Sequence, residues 1–116
     1  MKMTSPTRFE FPIAKAQYLF NRATEPGVGG DKRKFWRDVM GFESPEAIRE
    51  AILAQISLEL LQPVGQNDYG DRYQAVILIT GSSGVSWQIR TGWIVLFDSD
   101  IARFVTAFPE RFGRQQ

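Results

Sequence analysis

Neither cysteine nor histidine occurs among the 116 residues. The first absence removes disulfides, thiolate nucleophiles and any zinc site built on sulfur. The second is the sharper limit. No imidazole can act as general base, metal ligand or near-neutral proton switch, so acid-base chemistry falls to Lys, Asp, Glu or Tyr, and Ser-His-Asp and Cys-His hydrolysis are excluded. An excess of one charge is missing too: 14 Lys and Arg face 13 Asp and Glu, a formal +1. A typical duplex-binding domain is far more basic, so any nucleic-acid contact must be local. The longest apolar stretches, Ala75 to Ile79 and Trp93 to Phe97, are too short for a membrane span, and the start MKMTSPTRFEF has no apolar signal region. A cytoplasmic protein without a membrane partner is expected.

What is present is globular material. With 43% hydrophobic and 23% charged residues, the chain is too apolar for disorder, and its length suits one domain with an aromatic-rich core. The expectation is a single domain over 1–116, with an N-terminal arm or short edge strand at 1–11, a helical half at 12–60 and an antiparallel sheet at 72–108. From Pro12, the spacing of Ile13, Ala16, Gln17 and Phe20 predicts a helix ending near Arg22 or Ala23. Asp31 can cap a second helix that buries Phe35, Trp36, Val39 and Met40 and stops at Gly41. Ser44 and Pro45 begin a third, with Ile48, Ile52, Ile56 and Leu60 on one face, running to about residue 60. Pro63 and Gly65 then break the chain. Residues 73–80 and 85–97 read as strands joined by GSSG, and 102–108 as another. The fold expected is α+β: about three N-terminal helices packed on one face of a C-terminal antiparallel sheet of three to four strands, the strand at 85–97 central.

Four stretches carry possible chemistry. In EPGVGGDKRKFW the glycines can bring backbone amides to an anion at a helix start, or simply turn a corner; no P-loop or dinucleotide fingerprint is present, and Asp31 would repel a phosphate there. Lys32, Arg33, Lys34 and Arg37 make the densest basic cluster, either a phosphate-binding ridge or a solvated helix face. Arg90 lies within an apolar strand, on the face of Ser86 and Gln88, with Gly92 leaving space nearby. It can clamp a phosphate or a developing oxyanion, or it can lie on an exposed sheet face paired with Asp71 or Glu59. Tyr69 and Tyr73 in NDYGDRY can stack on a base, or cover the edge of the core. Asp98 and Asp100 alone do not make a metal site, and neither a metal nor a cofactor is assigned.

Taken together, Gly29-Gly30-Asp31-Lys32 with Phe35, Trp36, Gly41 and Phe42, then Tyr69-Gly70 with Tyr73, Thr80-Gly81, Arg90-Thr91-Gly92-Trp93 and Thr106-Ala107-Phe108-Pro109 resemble an uncharacterised bacterial domain family over roughly residues 13–109. That family is similar in layout to toxin domains at the ends of large bacterial adhesins, and to the RelE and colicin type ribonuclease fold. The resemblance implies a small metal-independent endoribonuclease, or an inactive relative. Lys32, Arg90, Thr91 and Tyr69 would form its catalytic site, with Glu25, Arg33, Arg37, Tyr73 and Gln88 binding. Where the family has His-Pro before the glycines, this chain has Glu25-Pro26, so an imidazole is missing. The alternative is a non-catalytic binding module, immunity-like, inhibitory or accessory, that meets RNA or a cognate protein through the polar sheet face and the basic helix.

Overall fold

The computed structural model describes residues 6–21 and 34–114, with side chains described up to Glu110. Its first element is a strand, β1 (Arg8–Glu10). Helix α1 (Ile13–Asn21) follows, then a π-helical segment at Lys34–Val39, helix α2 (Pro45–Gln55) and a short 3-10 turn at Leu58–Leu60. Four strands complete the order: β2 (Gln62–Gln66), β3 (Gly70–Thr80), β4 (Ser86–Leu96) and β5 (Ile101–Arg114). They form one sheet ordered β1-β5-β4-β3-β2, in which β1 runs parallel to β5 and the other pairings are antiparallel. No helix among the described residues is long and apolar enough to cross a membrane.

The expected architecture is corrected in two respects. The sheet has five strands rather than three to four, and it is mixed rather than antiparallel. The helices are not an N-terminal block ahead of the sheet, because β1 precedes α1 and the helical elements are inserted between β1 and β2. Of the two readings of residues 1–11, an arm or a short edge strand, Arg8–Glu10 is the edge strand. Pro63 and Gly65, read as breakers, lie within β2: an edge strand tolerates proline, whose missing N–H is not needed by a neighbour, and Gly65 adopts φ 136° beside a register shift. The third expected helix stops at Gln55, where Ile56 turns extended, so Ile56 stays buried while Leu60 is exposed.

Local chemistry explains the elements that position the core. Ser44 is extended, and its hydroxyl accepts from the Ala47 N–H at 3.1 Å; Pro45 follows at the first helical position, where its missing N–H costs nothing. Period-two burial along β3 puts Asp71, Tyr73, Ala75, Ile77 and Ile79 on one face. These join Leu19, Trp36, Ile48 and Ile52 from the helical elements in one apolar cluster. At its β1 end Phe11 stacks on Phe104 at 3.9 Å, and Trp93 meets Phe9 and Phe104 edge-on. The β3–β4 hairpin is fastened to the π-helical segment: the Ser83 N–H donates to the Met40 carbonyl at 3.0 Å and its hydroxyl to that of Val39 at 2.9 Å.

Candidate functional site

Alternation along β4 divides the candidate residues between two faces. Ile89, Thr91, Trp93 and Val95 are buried toward the core, whereas Ser86, Gln88, Arg90 and Gly92 lie half-buried on the other side of the sheet. Here no helix among the described residues supplies core partners, and β3 leaves Val76 and Leu78 exposed. Register aligns Val76, Arg90 and Phe108 in one row across β3, β4 and β5, with Leu78 opposite Gln88 in the next.

The guanidinium of Arg90 commits three of its N–H donors within the sheet. Its Nε and Nη2 donate to the two carboxylate oxygens of Glu110, at 2.5 and 3.0 Å, and Nη1 donates to Gln74 Oε1 at 2.8 Å. Hydrogen bonding from Arg90 is the main reason the Glu110 carboxyl ionises below the usual glutamate range, and the same bond raises Arg90. The partners are Glu110 and Gln74, not Asp71 or Glu59. Three strands are thus tied through one side chain, and the Nε/Nη2 fork is taken by the Glu110 carboxylate, so a phosphate would have to compete with an ion pair already made.

Thr91 faces the opposite way and is wholly buried. Its hydroxyl donates to the Ala75 carbonyl and accepts from Trp93 Nε1, both at 2.8 Å, which makes it a core hydrogen-bonding bridge. Tyr73 is also buried on the core side, and burial first, then the Asp71 carboxylate, pushes its phenol above the usual value. Tyr69 is 70% exposed in the β2–β3 turn, where Asn67 Oδ1 accepts from the Tyr69 and Gly70 N–H groups. Tyr69 precedes the Gly70–Leu96 pair, and six residues separate that pair from Val76–Arg90, so Tyr69 is roughly 20 Å along the ladder from Arg90.

Of the remaining candidates, Gln88 shares the face of Arg90, and Arg37 lies on the π-helical segment with its guanidinium 4.3 Å over the Phe20 ring. Glu25, Lys32 and Arg33, the glycine stretch and the cap at Asp31 lie outside the described residues. The structure therefore brings Arg90 and Gln88 together, and separates them from Thr91, Tyr73 and Tyr69. Space does open at Gly92, as a pocket of about 120 Å³ bordered by Arg72, Gln74, Val105 and Thr106, but Arg90 does not line it. Among the described residues no cluster of three or more acidic side chains is placed to hold a metal ion.

Sequence reasoning missed Glu110, Gln74 and the exposed apolar quartet Val76, Leu78, Val105 and Phe108. The signal for Val76 and Leu78 was available, since alternation that buries Ile77 and Ile79 must turn them outward. Glu110 was not accessible to that logic, because β5 bulges against β4 on both sides of the paired stretch.

No curated protein and no solved structure matches the chain. Residues 14–111 match a family described as Domain of unknown function (DUF6883), and this match reaches from α1 into β5. The chain, with its braced arginine and open sheet face, belongs to that family.

Proposed function

We propose that the domain is a non-catalytic binding module that docks a protein through the open face of its sheet. The observation that carries this is the row formed by Val76, Arg90 and Phe108, extended by Leu78 and Val105. The four apolar residues are between 38% and 45% exposed around an arginine already paired with Glu110. A monomer rarely leaves such a patch facing water without a use for it, and a neutralised ion pair at its middle suits an apolar contact. On the same face Arg72 is exposed and has no ion pair among the described residues, while Glu10 and Glu110 are bound to Arg103 and Arg90. The partner is therefore apolar with acidic groups at its rim; a second copy would set one basic face against another. A ribonuclease site receives less support, because Arg90 and Thr91 face opposite sides of the sheet and Arg90 is held by a carboxylate.

A photoreactive phenylalanine analogue at position 108 tests the proposal in native cell extract. The expected product is a discrete protein adduct that persists after ribonuclease treatment, also forms from position 78, and is lost with Arg72→Glu. Adducts to RNA, or equal labelling from Val64 on the β2 edge, would count against it.

A further inference from the structure

We infer that the groove between the outer edge of β1 and helix α2 is a separate binding site, which takes an extended, basic segment of another protein as an added strand. The groove has a volume of about 600 Å³. The consecutive residues Phe9, Glu10 and Phe11 all border it. Phe9 and Glu10 are the last two residues of β1 and their side chains point to opposite faces of the sheet, so a cavity touched by both, and by Phe11 just beyond, follows the backbone edge rather than either face. That edge is the outer one, since β5 occupies the other side of β1.

The opposite wall comes from one stripe of α2. Glu46, Arg49, Glu50 and Leu53 are spaced by three, four and seven residues, and this stripe is about 10 Å long, the length of three strand residues. Arg49 spans the end of the groove, its Nε donating to the Phe11 carbonyl at 2.6 Å. Among the described residues no strand pairs the outer edge of β1, and an open edge facing one helix stripe is the geometry by which extended peptides join a sheet, main-chain bonds giving affinity and the helix reading side chains. Pro12 has no N–H and limits the added pairing to the stretch before it. The other edge of the sheet is less suitable, because β2 carries Pro63 and a bulge.

Charge selects the occupant. Glu46 and Glu50 are exposed on the groove wall, and no cation among the described residues pairs with either. The groove's other carboxylate, Glu10, is held by Arg103 at 2.7 Å, and Arg49 is the wall's single cation. A segment with Lys or Arg toward α2, and apolar side chains toward Phe9 and Leu53, meets both surfaces. This site is independent of the open face.

Phage-displayed random peptides of about seven residues, selected on the full chain, test the inference; enriched peptides are then synthesised and titrated by fluorescence anisotropy. Expected are sequences enriched in Lys or Arg whose affinity falls about tenfold or more in the Glu46→Lys, Glu50→Lys double variant and is unchanged in Phe108→Asp. Bound peptide should slow amide exchange at Phe9 to Phe11. Failure to enrich basic binders, or binding indifferent to the double variant, would overturn the inference, as would binding lost in Phe108→Asp. Both groove substitutions are at exposed positions, and an unchanged melting temperature separates loss of binding from loss of fold.

Discussion

Glu110 grips Arg90 through two parallel hydrogen bonds, at 2.5 and 3.0 Å, across the β4–β5 boundary. With Gln74 Oε1 accepting from Nη1, the pair spans β3, β4 and β5 on a face that no helix among the described residues covers. The arginine that looks most available for chemistry in the sequence thus braces the sheet and leaves apolar neighbours exposed around it.

Acid should weaken this brace. The folded-state value of Glu110 is lowered, so its contribution is complete above the unfolded glutamate value of about 4.3 and is lost as pH falls from there through the lowered folded value. Asp100 acts in the same direction, lowered mainly by the Thr7 hydroxyl, which donates at 2.6 Å. At the alkaline end the sign reverses: raised Tyr73 contributes below about pH 10, and that contribution declines as pH rises through its folded value. Urea melts from pH 3 to 7 should show Glu110→Gln costing about 0.5–1 kcal/mol at pH 7, the pair being partly solvent-screened, and much less at pH 3.

Thr91 should behave as a core bridge. Thr91→Val keeps the volume but leaves the buried Trp93 Nε1–H without its acceptor, at a cost of about 1–3 kcal/mol. Thr91→Ser keeps both bonds and loses one methyl, about 1 kcal/mol. Equilibrium urea unfolding distinguishes them, and valine should be the worse substitution.

Gly81 is where the hairpin meets the π-helical segment. A Cβ there would overlap the Met40 carbonyl, and backbone cannot move aside as a flexible side chain does. Gly81→Ala should cost on the order of 2–3 kcal/mol, whereas Gly84→Asn, with φ 91° and nothing near, should cost less than half of that. Thermal melts of the two variants check this.

Features written into consecutive residues were the legible ones. Ser44-Pro45 announces the start of α2, and the alternation around GSSG marks β3 and β4, because capping and pleat are local effects. The parallel pairing of β1 with β5 joins residues some ninety positions apart, and no local pattern encodes it. β2 was hidden by Pro63 and Gly65, whose breaker character matters little on an edge. At the candidate site, parity placed Arg90 beside Gln88, yet parity also puts Thr91 on the other face, and motif adjacency obscured that consequence. The acidic partner depended on a bulged register, so Glu110 could not be counted out from Arg90.

Polar replacement of the exposed row should separate binding from stability. Val76→Thr with Phe108→Ser should lower the unfolding free energy by about 1–2 kcal/mol, since both side chains are still more than half covered, and leave the chain folded. The same variant should abolish the protein cross-link from position 78.

Cleavage of bulk transfer RNA in chelator-containing buffer most directly tests whether Arg90 braces a docking surface or works on phosphate. Wild type, Arg90→Ala and Lys32→Ala should all remain at the no-protein background, each first shown to be folded by near-ultraviolet circular dichroism. Cleavage by wild type that disappears in a folded Arg90→Ala variant would contradict the structural role assigned to Arg90 and restore the ribonuclease reading.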